Sequence, residues 1–424
     1  MISITSTEPA QTASGIAQRE SAAGASFAGK RLAMVSFSPY PFDPRPRRAV
    51  DALLREGAVL DLICLGGKGA PSHEVVDGLN VYRIPIGNPR RGKLEYAFRY
   101  GTFILISGAI FAWRALFRRY DLVYVHNMPD VLVLSALLPK AMGARVVLDL
   151  HDPMPELMKA IFQVSEESGS VLWLKRLEKW SIGLADLAIT VNIACKRIFS
   201  SRSCSEEKIA VVMNSPDEKI FPFQEVRSEE FAGHADARPF VIVYHGSLVE
   251  RNGLDLAVDA LGHLQQSIPH AELRIFGAST PFLERVLEQA RRKKLDGKIR
   301  YLGMKRLEEL VAELGACDLG VIPNHRNAFT EINTPTRIFE YLAMAKPVVA
   351  PSTPGILDYF DRDSLLLFEP GNPKDLARQI EFAYSHPKEI LEIVRNGQEV
   401  YLEHTWERER QTLLSRLDGI LNGK

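Results

Sequence analysis

At 424 residues the chain has room for two domains of ordinary size, and 46% hydrophobic with 25% charged residues is the balance of a soluble globular protein. Lys+Arg and Asp+Glu match at 52 each, so no global field favours nucleic acid and any electrostatic targeting must come from local patches. Cys64, Cys195, Cys204 and Cys317 show no CxxC spacing, which argues against a zinc site or a disulfide framework and suits a reducing compartment.

In chain order, residues 1–28 are rich in Ser, Ala, Thr and Gly and read as a flexible tail without a secretory apolar segment. Strands are expected at Arg31–Phe37, Val59–Leu65, Asn80–Ile86, Asp121–Asn127, Arg145–His151, Leu184–Asn192 and Lys208–Asn214, with helical stretches between them. This alternation indicates βαβ units and a parallel sheet covered on both faces, over 29–214. Polarity rises through 215–238, read as an interdomain linker. The pattern restarts at Pro239–Gly246 and runs through strands at Ala271–Gly277, Lys298–Gly303, Cys317–Pro323, Val348–Ala350 and Leu365–Phe368. The fold class is therefore α/β, with two Rossmann-like doubly wound halves and ligands expected outside the C-terminal strand ends.

The segment from Pro89 to Tyr120 carries seven basic residues (Arg90, Arg91, Lys93, Arg99, Arg114, Arg118, Arg119) against Glu95, interleaved with apolar and aromatic side chains. Its most hydrophobic run, Thr102–Trp113, reads as too short to span a bilayer. Residues 90–119 suit an interfacial helix drawn to an anionic membrane surface; the plainer reading is a helix covering the first sheet, and both hold if one face packs inward. The expected location is cytoplasmic, peripheral on the inner face of the cell membrane.

The richest stretch is Thr334–Ala350. Thr334 is expected to cap a helix with Pro335 in its first turn, and Thr336, Arg337 and Glu340 then share one face. A hydroxyl and a guanidinium beside free N–H groups suit phosphate oxygens, and a carboxylate one turn deeper suits sugar hydroxyls; a solvated Arg–Glu pair is the plainer alternative. No GxGxxG follows either first strand, which disfavours NAD or FAD chemistry. Gly246 and Ser247 end a strand ahead of a helix, and Arg251 nearby can reach a diphosphate. In the first half His126 and Asp130 follow one strand, and His151, Asp152 and Glu156 the next. Their spacing is not that of a zinc hydrolase. Asp361-Arg362-Asp363 reads as a turn.

Together the segments FDPRPRRAVDALLREGA, DLVYVHN, VVLDLHDPMPE, YHGSLVERNGLDLAVDAL and TPTRIFEYLAMAKPVVA resemble retaining glycosyltransferases of the GT-B fold, family 4, from Arg31 to about the C-terminus. The resemblance implies two domains facing a central cleft. An acceptor-binding domain would cover 29–214, a nucleotide-sugar-binding domain 239–390, and C-terminal helices, 391–424, would cross back to the first. It implies His126 near the reacting sugar and Glu340 on the donor ribose, the two catalytic candidates. Gly246, Ser247, Arg251, Thr334, Thr336 and Arg337 would serve the donor diphosphate, and Arg45, Asp130, His151, Asp152, Glu156 and Glu331 would offer donor-sugar or acceptor contacts. Glu331 stands one residue from Ile332, where the family's first motif carboxylate falls. Ser247 and Asn252 stand where its phosphate-loop Arg and Lys fall.

The implied activity moves a hexosyl or N-acetylhexosaminyl unit from a UDP- or GDP-sugar to a lipid-linked or oligosaccharide acceptor in polysaccharide biosynthesis, without metal, cofactor or nucleic acid. A sugar-nucleotide epimerase and a non-catalytic GT-B binding or assembly subunit are the alternatives.

Overall fold

The structure, a computed structural model, describes residues 27–67, 69–87, 93–231 and 238–423. Most of the expected tail 1–28, the basic residues Arg90 and Arg91, and part of the linker 215–238 lie outside the described residues.

The strands are β1 (Arg31–Pro39), β2 (Val59–Leu65), β3 (His73–Val76), β4 (Leu79–Ile84), β5 (Leu122–His126), β6 (Arg145–Leu150), β7 (Leu187–Thr190) and β8 (Ile209–Val211), then β9 (Phe240–His245), β10 (Ala271–Phe276), β11 (Ile299–Tyr301), β12 (Leu319–Val321), β13 (Val348–Pro351) and β14 (Leu366–Phe368). Their orders are β3-β4-β2-β1-β5-β6-β7-β8 and β11-β10-β9-β12-β13-β14. Apart from the antiparallel β3–β4 hairpin, the pairing is that of parallel sheets. Strands such as β5 and β9 are buried along their whole length, which is why they read as unbroken apolar runs. The helices are α1 (Pro44–Arg55), α2 (Lys93–Phe117), α3 (Leu137–Ala141), α4 (Met154–Phe162), α5 (Gly169–Leu184), α6 (Ile193–Arg202), α7 (Leu254–His263), α8 (Pro281–Arg292), α9 (Leu307–Gly315), α10 (Thr336–Ala343), α11 (Pro354–Leu357), α12 (Pro373–Ser385), α13 (Pro387–Glu403) and α14 (Trp406–Leu421). Several start on side-chain caps: Asp43 accepts from Arg45 N, Asn192 from Cys195 N, and Thr280 from Leu283 N.

The chain forms two compact units. The first runs through Val125 and includes Leu134–Val146 and the residues from Leu417 on; the second comprises His126–Val133 and Val147–Arg416. In the second, Glu409 accepts from Met213 N at 2.8 Å and Ser215 donates to the His404 carbonyl, so α14 is fastened to the chain just after β8.

In the first unit α2 corrects one expectation. The helix continues through Arg114, and Ala97–Phe117 is long and apolar enough to cross a membrane by length and composition. Phe103, Ser107, Phe111 and Ala115, spaced four apart, are fully buried, with Phe37 and Tyr120 against the Phe103 and Phe111 rings. Phe98, Leu105, Trp113, Leu116 and Phe117 are exposed. One face thus packs inward and the other is bare.

Arg114 fixes that rotation. It donates to both oxygens of buried Asp61, at 2.8 and 3.0 Å, while Arg31 and Tyr120 donate to the same carboxylate at 2.8 and 2.5 Å. Burial by itself would raise the Asp61 carboxyl, but the hydrogen bonds from Arg114 and Tyr120 and the two cations hold it below its ordinary value. A depressed carboxyl contributes stability that is present above its unfolded value, near pH ~4, and is lost as pH falls through the lower folded value. Asp61→Asn, which leaves Arg31 and Arg114 without their carboxylate, is expected to cost about 3–5 kcal/mol in urea unfolding.

Candidate active site

The second unit builds its main site at the end of β9. Gly246 follows His245 with φ of +119°, and a Cβ there would lie 3.4 Å from the Arg337 side chain. Its absence lets the guanidinium settle against the strand end. Arg337 Nη1 donates to the His245 carbonyl at 2.5 Å, and Nη2 lies 3.5 Å from Asn324 Oδ1. The His245 imidazole is buried, with Nε2 3.3 Å from Glu340 Oε2. Burial, and then the Arg337 charge, push its pKa down to about 3, so it stays neutral. His245, Ser247, Arg337 and Glu340 line a cavity of about 550 Å3 together with Gly277 and Lys305. A fixed cation and a carboxylate one turn apart on α10 thus face a common space.

The helix start differs from expectation. Pro335, not Thr334, is the N-cap residue, and no side chain caps the helix. The Thr334 hydroxyl donates to the Gly355 carbonyl at 2.6 Å and accepts from Asn192 at 3.2 Å, which ties loops together. Thr336 sits half-buried in the first turn.

Arg251 and Arg337 approach consecutive residues of one loop: the Arg251 carbonyl accepts from His325 N at 3.0 Å, next to Asn324. Arg251 lines another cavity, of about 810 Å3, with Lys159, Asp255, Arg285, His325 and Arg326. The loop that carries it turns at Gly253, φ +66°, where a Cβ would lie 1.8 Å from the Pro323 carbonyl oxygen. His325 Nε2 is 2.8 Å from Asp255, whose hydrogen bond raises the imidazole pKa. Glu331 pairs with Arg326 at 2.7 Å.

At the ends of β5 and β6 the expected polar residues meet. His126 Nδ1 lies 2.9 Å from His151 Nε2 and 3.3 Å from Asp149 Oδ2. His126 is fully buried, and the His151 side chain is partly open. Their donor atoms and the Asp149 carboxylate fall within 4.8 Å of one another. Asn127 joins the two loops: it donates to Asp130 at 2.8 Å and to the Asp152 carbonyl at 3.2 Å, and accepts from His151 N at 2.8 Å. Glu156 is spoken for, with both oxygens at 2.8 Å from Arg202. Arg45, in the first unit, lies buried in the opening turn of α1. Asp361 accepts from Asp363 N and from the Ser364 hydroxyl, the expected turn.

Three residues of these sites escaped the sequence reading. Asn127 and Asp149 stood in plain sight, the latter as a charge inside the apolar run VVLDL. His245 satisfies the strand-end criterion that selected His126.

A model described as glycosyl transferases group 1 matches residues 239–386, and one described as glycosyl transferase 4-like domain matches 44–215, together about three-quarters of the chain. The chain belongs to the GT-B glycosyltransferases of family 4. Relatives of this family 4 chain include an Escherichia coli K12 protein named for colanic acid biosynthesis, the glycosyltransferase WcaL, 24% identical over 53% of this chain and 54% of its own. A glycogen synthase of Mycobacterium tuberculosis is 25% identical over 42% of this chain and 41% of its own. The chain spans about half the length of these relatives or less. Similar solved structures include a sucrose-phosphate synthase from Thermosynechococcus elongatus (TM-score 0.74, 17% identity, covering 93% of this chain and 100% of that one). The Anabaena protein HepE in complex with UDP is another (TM-score 0.65, 17% identity, 92% and 100%). At such identities the likeness shows the GT-B fold.

Within this family 4 chain, Asp130 offers a pH test. Burial raises its carboxyl to about 7, against the lowering effect of the Asn127 hydrogen bond. A raised pKa contributes stability that is complete below the unfolded value, near ~4, and lost as pH rises through the folded value. Thermal melting of the wild type is therefore expected to fall between about pH 4 and 7 by more than that of Asp130→Asn, measured by circular dichroism.

Proposed function

We propose that this protein is a retaining, metal-independent glycosyltransferase that moves a hexosyl or N-acetylhexosaminyl unit from a UDP- or GDP-sugar to a lipid-linked or saccharide acceptor in cell-surface or exopolysaccharide biosynthesis. The observation that carries this reading is the cavity at the end of β9, where Arg337, Glu340 and an unencumbered glycine backbone converge. The relative named for colanic acid biosynthesis, and HepE solved with UDP and with UDP-glucose, support the substrate class.

In this reading Glu340 accepts from the donor ribose and Arg337 sits at the diphosphate. The bond from the sugar C1 to the phosphate oxygen breaks while the acceptor oxygen bonds to C1 on the same face. The acceptor's proton leaves with the diphosphate. Charge accumulates on the phosphate oxygens, where a preorganised guanidinium is most effective. The His126–His151 pair belongs to the acceptor side. The protein works at the cytoplasmic face of the membrane, with the bare face of α2 against anionic lipid.

Incubation with a panel of nucleotide sugars and a membrane lipid extract is expected to release nucleoside diphosphate only when acceptor is present. Release without acceptor favours a hydrolase, formation of an isomerised sugar nucleotide favours an epimerase, and absence of both turnover and donor binding overturns the proposal. Arg337→Ala should weaken donor binding roughly 10- to 100-fold by calorimetry, the worth of a hydrogen bond to a charged group. A chelator should leave turnover unchanged; a loss would point to a metal at His126, Asp149 and His151. Because Arg114 is committed to Asp61, the membrane role of α2 is tested at Arg118 and Arg119. Charge reversal there should lower sedimentation with anionic vesicles.

A further inference from the structure

The second unit carries a helix whose outer face is left uncovered among the described residues. In α5 (Gly169–Leu184), Val171, Glu178, Ser181 and Ile182 are fully buried and define the inner face. Glu178 is the helix's single acid, and it is locked inside: Arg202 donates to it at 2.9 and 2.6 Å while also gripping Glu156. This ionic clamp fixes how α5 is rotated.

What the rotation turns outward is a compact set. Leu172, Trp173 and Trp180 are 44%, 59% and 47% exposed, and Arg176 and Lys179 are exposed beside them. At 100° per residue these five fall within about a third of the helix circumference. Arg176 and Lys179 have no ion pair among the described residues. The face is therefore two indoles and a leucine flanked by two unneutralised cations, with no acid.

We infer that this face of α5 is a docking surface for an anionic lipid bilayer. Indoles favour the headgroup level, where the ring is buried and the N–H stays wet, and each lysine or arginine beside them gains from the negative surface potential. The two tryptophans, seven residues apart, lie almost in line along the helix and would enter at one depth, with α5 parallel to the surface. The argument concerns α5 alone and stands whether or not α2 also binds.

The test uses the full-length protein and vesicles of equal parts phosphatidylglycerol and phosphatidylcholine, with phosphatidylcholine alone as the comparison. Trp173→Ala with Trp180→Ala, and Arg176→Glu with Lys179→Glu, should each reduce co-sedimentation with the anionic vesicles at least about fivefold, with unchanged circular dichroism melts. The chain's four tryptophans include Trp113 on α2 and the buried Trp406. In a Trp113→Phe protein, quenching of emission by brominated lipid therefore reports on α5 with its own sequence intact. Quenching there supports the inference. No quenching, or α5 variants that bind vesicles normally while changing the oligomeric state in gel filtration, would overturn it and assign the face to a protein partner.

Discussion

The Arg337 guanidinium rests against the carbonyl of His245 across a residue with no side chain, and the site is organised by that contact. It joins the end of a parallel strand to the first turn of a helix, the two places where a doubly wound sheet leaves backbone groups unpaired. The same residue, His245, meets Glu340 with its side chain. One strand terminus thus sets the positions of a cation and a carboxylate, and a neutral imidazole between them adds no competing charge.

Buried charge elsewhere divides into two kinds. Asp61, and Glu156 with Glu178, have their oxygens occupied by arginine, so they are struts: one orients α2, the other orients α5. The Asp149–His126–His151 group and Asp130 have imidazoles and an amide among their partners. Both kinds are charges within apolar surroundings that hold only because each has a hydrogen-bonding partner.

The fold was largely legible in the sequence because buried parallel strands are continuous apolar runs and the family motifs sit at their ends. Contacts across space were not. Arg251 and Arg337 both read as diphosphate contacts because each follows a strand end, but that both meet the loop at Asn324 and His325 only the fold reveals. Thr334 precedes a proline in a cap-like pattern, but Gly355 and Asn192, distant in sequence, claim its hydroxyl. The apolar run of α2 looked cut short at Arg114, since nothing local reveals that this guanidinium is turned inward onto Asp61, fifty-three residues earlier.

Gly253 sets a limit on how this site can change. Every other amino acid carries a Cβ, and that atom would lie 1.8 Å from a main-chain oxygen that cannot rotate aside. The path of the loop between β9 and α7 is therefore closed to gradual drift, and the Asn252 amide braces it by donating to the Ser247 carbonyl at 2.8 Å, whereas the Ser247 and Arg251 side chains can be exchanged. Libraries that diversify this loop should therefore spare both of its glycines, Gly246 and Gly253, and the buried Leu248, and vary the side chains of Ser247 and Arg251.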